Sequence, residues 1–203
     1  MRNTMRSNLL IIAGTSGVGK STLSARIASS LNFRKIAATD TIREVLRASF
    51  TSIERPALHR SSFENAGGSA VEDWKETVYA ISEGVSAVIE RSMENSESLL
   101  LEGVHYVPNG EILDKWNESG GCALGVVLRV SSEERHRGMI AMREKHNGKS
   151  VDHYLEKMDR IREIQKEMVV CGEQSGWAII DATEESNVEE IFSKRLGKNE
   201  LSL

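Results

Sequence analysis

The chain has 203 residues, of which 39% are apolar and 28% charged, and its formal net charge at pH 7 is −4. This length predicts one domain with a full hydrophobic core, spanning residues 1–203. The slightly acidic balance gives no overall attraction to nucleic acid or to an anionic membrane, and two distant cysteines, Cys122 and Cys171, exclude a disulfide scaffold and suit a reducing cytosol.

The first quarter of the chain alternates short apolar runs with helical patterns. The run LLIIA at residues 9–13 predicts a buried strand, and a helix follows over residues 20–31. Residues 35–38 form a weaker second strand, and a capping-box sequence opens a helix over residues 41–48. The irregular residues 50–69 predict a lid or a segment of short helices.

The middle of the chain holds the clearest helical pattern. Apolar residues recur at three- and four-residue steps over residues 71–93, and buried strands are predicted at residues 99–101 and 123–130. Residues 133–173 are helical and highly charged, with a break near Asn147 and Gly148.

The chain closes with a fifth predicted strand at residues 177–180 and a last helix opened by a capping box at residues 186–189. Because strands alternate with helices and are nearly all apolar, we expect an α/β fold with a parallel sheet covered on both faces. The longest apolar run is too short for a membrane span or a signal peptide, so a cytoplasmic location without a membrane partner is expected.

One local motif points to nucleotide chemistry. Residues 14–21, GTSGVGKS, match the phosphate-loop pattern G-x-x-x-x-G-K-[ST] between the first strand and the first helix. Backbone N–H groups of such a loop surround phosphate, the lysine reaches the β- and γ-phosphates, and the serine hydroxyl ligates Mg²⁺. We predict a nucleoside triphosphate and Mg²⁺ as cofactors, with Lys20 also catalytic and Ser21 a metal ligand. The predicted nucleotide ligands in the loop are Gly14, Thr15, Ser16, Gly17, Val18, Gly19, Lys20, Ser21 and Thr22.

Phosphate loops serve switches, motors and kinases alike. A GTPase would carry N-K-x-D and D-x-x-G motifs, and the sequence has neither. An arginine-rich segment at residues 131–172 instead favours a small-molecule kinase, because lid cations neutralise the transferring phosphoryl group. We predict Arg143 as catalytic and Arg135 and Arg137 as ATP ligands. A solvated helix face is the alternative, since glutamates are interleaved.

Charged residues at the ends of two predicted strands suggest the acceptor and metal sides of the site. Asp40 follows the second strand, where ligands of parallel sheets gather, and is predicted to accept the acceptor's proton or to hold the metal's water, with helix capping as the alternative. Arg43 and Arg47 are a predicted clamp for an anionic substrate, or ordinary exposed arginines. Glu102 ends the third strand and is predicted to reach Mg²⁺ through water, with a strand-end acid that binds no ligand as the alternative. His105 is predicted either to contact substrate or merely to pack.

Four runs, GTSGVGKST, ATDTIREV, LEGVHYVP and IREIQ, together resemble archaeal 2-phosphoglycerate kinase over nearly the whole chain. The resemblance implies a P-loop kinase fold with a helical lid and five parallel strands in the order 2-3-1-4-5. It also implies ATP, Mg²⁺ and phosphoryl transfer to a hydroxyl of a small phosphorylated hydroxy acid. The residues on matching positions are Lys20, Ser21, Asp40, Arg43, Glu102 and His105.

The acceptor stays open at this point. The resembling family commonly has an extra domain before the phosphate loop, whereas thirteen residues precede Gly14 here. Mevalonate-3-phosphate 5-kinase of acidophilic archaea looks like a relative of this group, and the compact chain slightly favours mevalonate 3-phosphate, with residues 50–70 as a substrate-binding insert. The alternatives are 2-phosphoglycerate as acceptor, a nucleotide kinase, a nucleic-acid end kinase, which the acidic chain disfavours, and a non-catalytic ATP-binding switch.

Overall fold

The computed structural model describes residues 6–147, 150–184 and 188–200, with the backbone alone for residue 147 and residues 196–200. Its strands are β1 (Asn8–Ala13), β2 (Lys35–Ala38), β3 (Leu99–Gly103), β4 (Cys122–Arg129) and β5 (Ala178–Asp181). Its helices are α1 (Lys20–Ser30), α2 (Thr39–Arg47), α3 (Ala70–Glu94), α4 (Glu111–Glu118), α5 (Glu133–Asn147), α6 (Asp152–Leu155), α7 (Met158–Gln174) and α8 (Val188–Glu200), with a 3-10 turn at Pro56–His59.

The five strands form one parallel sheet in the order β2-β3-β1-β4-β5, which confirms the predicted fold class and strand order. Strand β1 lies in the centre, where Leu9 pairs with Leu99 of β3 and with Ala123 of β4. Because all strands run in the same direction, their carboxyl ends meet at one edge of the sheet. The phosphate loop and the residues that follow β2 and β3 are therefore neighbours at that edge.

The alternating side chains of β1 divide the interior into two cores. Leu9 and Ile11 pack into a core that includes Trp74 of α3 and Trp116 of α4. Leu10 and Ile12 pack on the other face against a second core, whose members include Ile27 of α1, Phe33 and Phe192 of α8. Apolar residues on both faces explain why the strands are almost continuously hydrophobic, as expected for a covered parallel sheet.

Two helices differ from the sequence prediction. Helix α2 begins at Thr39, without a side-chain cap, rather than at the capping box predicted from Thr41; the buried Thr39 hydroxyl instead accepts a hydrogen bond from the backbone N–H of His105. Helix α4 was not predicted; it is short, and it buries Leu113 and Trp116. The predicted break near residues 147–148 and the capping box at residues 186–189 fall, wholly or partly, outside the described residues.

The irregular segment at residues 50–70 is anchored to the helices around it. Its buried Leu58 and Phe63 belong to the core on the α3 side of the sheet. The carbonyl of Arg60 accepts a hydrogen bond from Arg43, and the carbonyl of Phe63 accepts one from Arg160. The segment holds one 3-10 turn, Pro56–His59, and its role as a lid or a substrate-binding insert stays a prediction. Within the described part of the chain, no helix combines the length and apolarity needed to cross a membrane.

Candidate active site

The turn between β1 and α1 has the backbone geometry of a phosphate-binding loop. Gly17 and Gly19 have φ values of +83° and +86°, a conformation that residues with a Cβ avoid. The Lys20 Nζ donates a hydrogen bond to the carbonyl of Thr15 at 2.9 Å, which closes the loop on itself. The free N–H groups at the start of α1 and the lysine thus form a preorganised donor set for a phosphate group.

The Lys20 ammonium lies within reach of charges from three other elements. Burial lowers its pKa, while the carboxylates of Glu102 and Asp40 raise it and the guanidinium of Arg143 lowers it further. These groups come from α1, the end of β3, the start of α2 and α5 respectively. The fold therefore gathers the predicted nucleotide, metal, acceptor and lid residues around one amine.

A pair of oxygen ligands lies beside this lysine. The Ser21 hydroxyl donates a hydrogen bond to Glu102 Oε1 at 2.9 Å. Magnesium prefers oxygen ligands and usually takes only one or two from the protein, with phosphates and water completing the shell. Among the described residues, no group of three or more His, Cys, Asp or Glu is placed to hold a metal ion. The loop and this oxygen pair fit ATP and Mg²⁺.

On the acceptor side, Asp40 stands in the first turn of α2 with His105 directly behind it. His105 Nε2 lies 3.3 Å from Asp40 Oδ1, and Arg43 Nε lies 3.9 Å from the same oxygen. The hydrogen bond from His105 holds the pKa of the Asp40 carboxyl below its ordinary value, although partial desolvation opposes this. Asp40 is therefore ionised at neutral pH, as a proton acceptor must be.

His105 itself is buried, with 1% of its surface exposed. Burial lowers the pKa of its imidazole, and the nearby carboxylate of Asp40 partly opposes that shift. Its second ring nitrogen, Nδ1, lies 3.0 Å from the hydroxyl of Thr77 on α3. The ring lies between Asp40 and α3. Its predicted contact with substrate stays a prediction.

The two predicted clamp arginines differ in their surroundings. Arg43 is largely buried and donates to the carbonyl of Arg60 at 2.8 Å, which ties α2 to residues 50–70. Arg47 donates to both carboxylate oxygens of Glu44, which also lies 3.3 Å from Arg43. Both guanidinium groups therefore lie on the helix face of Asp40, with one glutamate between them.

Helix α5 packs directly on the phosphate loop. The Nε2 of the buried His136 donates to the carbonyl of Ser16 at 2.8 Å, and a Cβ added at Gly17 would lie 2.2 Å from Ile140 Cγ1. Beside this contact, a cavity of about 490 Å³ is bordered by both the loop and the helix. The residues that line it are Gly17, Gly19, Lys20, Ser21, Thr22, Met139, Met142, Arg143 and His146.

The three predicted arginines of this region are placed differently. Arg143 lines the cavity, bonds the buried Glu144 at 2.7 Å and stacks on the ring of Tyr154. Arg137 bonds Glu133 and the carbonyl of Leu155, and neither it nor the exposed Arg135 lines the cavity. Their contact with ATP stays a prediction.

Sequence reasoning placed His136 and His146 in the charged segment but gave neither an individual role. It missed Met139 and Met142, which line the cavity together with His146. The spacing of His136, Ile140 and Arg143 places them on one face of α5, a signal that helical periodicity carries. The IREIQ run also acquires a structural role here. Gln165 bonds both the N–H and the carbonyl of Val130, and Arg162 donates to the carbonyls of Val130 and Ser131, where β4 leads into α5.

Comparisons with known proteins agree with this geometry. The sequence profile of the family described as AAA domain matches residues 10–168. A 2-phosphoglycerate kinase of Methanococcus maripaludis (strain C7) is 28% identical over 188 residues, covering 86% of this chain and 60% of that protein. A 2-phosphoglycerate kinase of Methanococcus vannielii is 31% identical, covering 86% and 59%. The chain thus spans about three fifths of the length of these curated relatives.

The fold has solved counterparts as well. The crystal structure of shikimate kinase from Bacteroides thetaiotaomicron superposes with a TM-score of 0.50 at 18% identity, covering 95% of this chain and 97% of that one. At this identity the likeness establishes the fold alone: five parallel strands with flanking helices and a phosphate loop after the central strand.

Proposed function

Since the chain belongs to the AAA domain family, we propose that it is an ATP-dependent kinase that transfers the γ-phosphoryl group to a hydroxyl of a small phosphorylated hydroxy acid. The observation that carries this proposal is geometric: at the edge of the sheet where Lys20 lies, Ser21 bonds Glu102, Asp40 stands beside His105, and Arg143 lines the cavity next to the loop. A non-catalytic ATP-binding switch needs Lys20 and the metal ligands Ser21 and Glu102. It does not need an ionised carboxylate on the acceptor side.

Each side chain has a task that follows from its place. Bound Mg·ATP supplies the phosphoryl group and a cation that neutralises its charge. Lys20 donates to the phosphate oxygens, while Ser21 and Glu102 hold the metal. Asp40 accepts the proton of the attacking hydroxyl, which lowers the barrier to transfer. Arg143 neutralises developing charge from α5.

The surrounding segments complete the proposed site. Helix α5 covers the phosphate loop and acts as the lid, which keeps water away from the transferring group. Arg43 and Arg47 bind the anionic groups of the acceptor. Residues 50–70 support Arg43, which donates a hydrogen bond to the carbonyl of Arg60. A phosphate together with a carboxylate offers each guanidinium one anion.

Among hydroxy acids we favour 2-phosphoglycerate as the acceptor and 2,3-bisphosphoglycerate as the product. The support is the name that relatives covering most of this chain carry. The comparisons give no support to mevalonate 3-phosphate, which the sequence analysis slightly favoured because the chain is compact.

The test is ADP release from Mg·ATP in the presence of single candidate acceptors: 2-phosphoglycerate, mevalonate 3-phosphate, mevalonate, glycerate and nucleoside monophosphates. We expect 2-phosphoglycerate alone to raise the rate well above the acceptor-free rate, with 2,3-bisphosphoglycerate visible by ³¹P NMR. Stimulation by mevalonate 3-phosphate instead would show that the proposed acceptor is wrong, while the proposed kinase activity would stand. A flat panel with ATP bound would favour the switch.

A matched pair of variants separates chemistry from nucleotide binding. Asp40→Asn removes the proton acceptor, so we expect a loss of turnover of at least about a hundredfold with ATP affinity unchanged. Asp114→Asn makes the same chemical change on the exposed face of α4 and should leave turnover unchanged. Turnover of Asp40→Asn within a few-fold of the parent would show that Asp40 is not the base.

A further inference from the structure

A chain of hydrogen bonds runs from the interior of α3 to the carboxylate that faces the acceptor. The Thr77 hydroxyl lies 2.7 Å from the carbonyl of Trp74 and 3.0 Å from His105 Nδ1. The opposite ring nitrogen, Nε2, lies 3.3 Å from Asp40 Oδ1. Thr77 and His105 are both buried, whereas Asp40 is exposed. A buried threonine is thus connected to the acceptor side through one imidazole ring.

The positions of the protons on the His105 ring determine which hydrogen bond the Thr77 hydroxyl makes. Nε2 faces a carboxylate, which only accepts, so Nε2 carries a proton. When the ring is neutral, Nδ1 is bare and accepts the proton of the Thr77 hydroxyl. When the ring is charged, Nδ1–H donates to Thr77, whose proton then turns to the carbonyl of Trp74. The hydroxyl therefore anchors the ring in either state, and Nε2–H points at Asp40 in both.

From this geometry, and resting on the proposed kinase function, we infer that Thr77 is a positioning residue: through His105 it orients the Asp40 carboxylate toward the acceptor hydroxyl. The contact of Nε2 with Asp40 Oδ1 restricts rotation of the carboxylate. The rest of the carboxylate is exposed, so an acceptor hydroxyl can approach it from the open side. Orientation of this kind matters because a small misplacement of a reacting group costs about a hundredfold in rate.

The loop that carries His105 has anchors that do not involve Thr77. The backbone N–H of His105 donates to the Thr39 hydroxyl, and the indole of Trp74 donates to the carbonyl of Val104 at 2.7 Å. Removing the Thr77 hydroxyl should therefore leave the loop in place and free only the imidazole ring. That separation makes the inference testable with a change of a single group.

The experiment compares Thr77→Val, which keeps the shape and loses the hydroxyl, with Thr77→Ser, which keeps the hydroxyl. We expect Thr77→Val to lower kcat about ten- to a hundredfold with an unchanged KM for ATP, and Thr77→Ser to stay close to the wild-type kcat. In an Asp40→Asn background, Thr77→Val should cause no further loss, because the carboxylate it orients is gone. Equal losses in Thr77→Val and Thr77→Ser would indicate packing and overturn the inference, as would an unchanged kcat in Thr77→Val.

A second readout does not depend on turnover. NMR spectra of ¹⁵N-histidine-labelled protein report which nitrogen of His105 carries the proton. We expect a single form with Nε2–H in the wild type and a mixture in Thr77→Val; identical spectra would overturn the inference. Should no acceptor stimulate the wild-type protein, the proposed kinase function fails, while these spectra still decide whether Thr77 holds the ring.

Discussion

The contact between the phosphate loop and helix α5 can be tested at Gly17, where a methyl group meets two separate obstacles. Gly17 has a φ of +83°, and its added Cβ would lie 2.2 Å from Ile140 Cγ1. Gly19, in the same loop, has a φ of +86°, but its Cβ would meet nothing closer than Met139 Cε at 3.7 Å. Gly17→Ala and Gly19→Ala therefore share the backbone strain and differ in the clash with α5.

The backbone strain and the clash with α5 contribute separately to the cost of the substitution. A left-handed backbone costs a residue with a Cβ about 1–2 kcal/mol, and this cost applies to both variants. Forcing a methyl group into a packed contact costs about 1–3 kcal/mol, and this cost applies to Gly17→Ala alone. Because Ile140 is wholly buried, its side chain has no space to swing aside, and the clash is relieved by moving α5 away from the loop.

If ATP binding requires α5 to lie on the loop, the clash weakens the binding of Mg·ATP to Gly17→Ala. A difference of 1–3 kcal/mol corresponds to about 5- to 150-fold weaker Mg·ATP binding by Gly17→Ala than by Gly19→Ala. Isothermal titration calorimetry measures both values directly. The variant Ile140→Ala removes the clashing Cγ1, and in its background Gly17→Ala should cost no more than Gly19→Ala. Equal loss of affinity in the two single glycine variants would refute the packing of α5 on the loop in the nucleotide-binding state.

Three further outcomes follow from contacts elsewhere in the site. Ser21→Ala should lower the apparent Mg²⁺ affinity in the presence of ATP at least about tenfold, and Ser21→Thr should preserve it, as a metal titration would show. Because burial lowers the pKa of His105 and His136 from the ordinary 6.5, the unfolded chain takes up protons first as the pH falls below that value. The free energy of unfolding should then fall by up to about 1.4 kcal/mol per pH unit for each histidine until the folded pKa is reached, which urea titrations between pH 5 and 8 would measure. Gln165→Leu leaves the N–H of Val130 without a partner and should cost about 1–3 kcal/mol of unfolding free energy in the same urea assay at pH 7.

The elements that sequence alone predicted are those encoded by neighbouring residues. The five strands are short apolar runs, and the phosphate loop is a contiguous pattern between a strand and a helix. Asp40 and Glu102 could be predicted as neighbours because the carboxyl ends of the strands in a parallel sheet lie at the same edge, where ligands bind. Helix α4 was missed because it is short and has no side-chain cap to mark its start.

The contacts that sequence alone could not predict join residues far apart in the chain. His136 bonds the carbonyl of Ser16 across 120 positions, and Thr77 meets His105 across 28. The choice among the arginines of α5 has the same origin. Which one faces the loop depends on the rotation of the helix about its axis, and that rotation is fixed by burial of His136 and Ile140, which leaves Arg143 on the cavity side.

The pairing of both clamp arginines with Glu44 bears on the choice of acceptor. The carboxylate of Glu44 is exposed, and an ion pair with an exposed partner contributes about 0–1 kcal/mol, so an anion can displace Glu44 at little cost. Until then, the glutamate holds the guanidinium groups of Arg43 and Arg47 on the helix face that carries Asp40. A ligand with a single negative charge replaces one weak pair by another and gains little. A ligand with two anions satisfies both arginines and leaves its hydroxyl beside Asp40, so the arrangement favours a doubly anionic hydroxy acid.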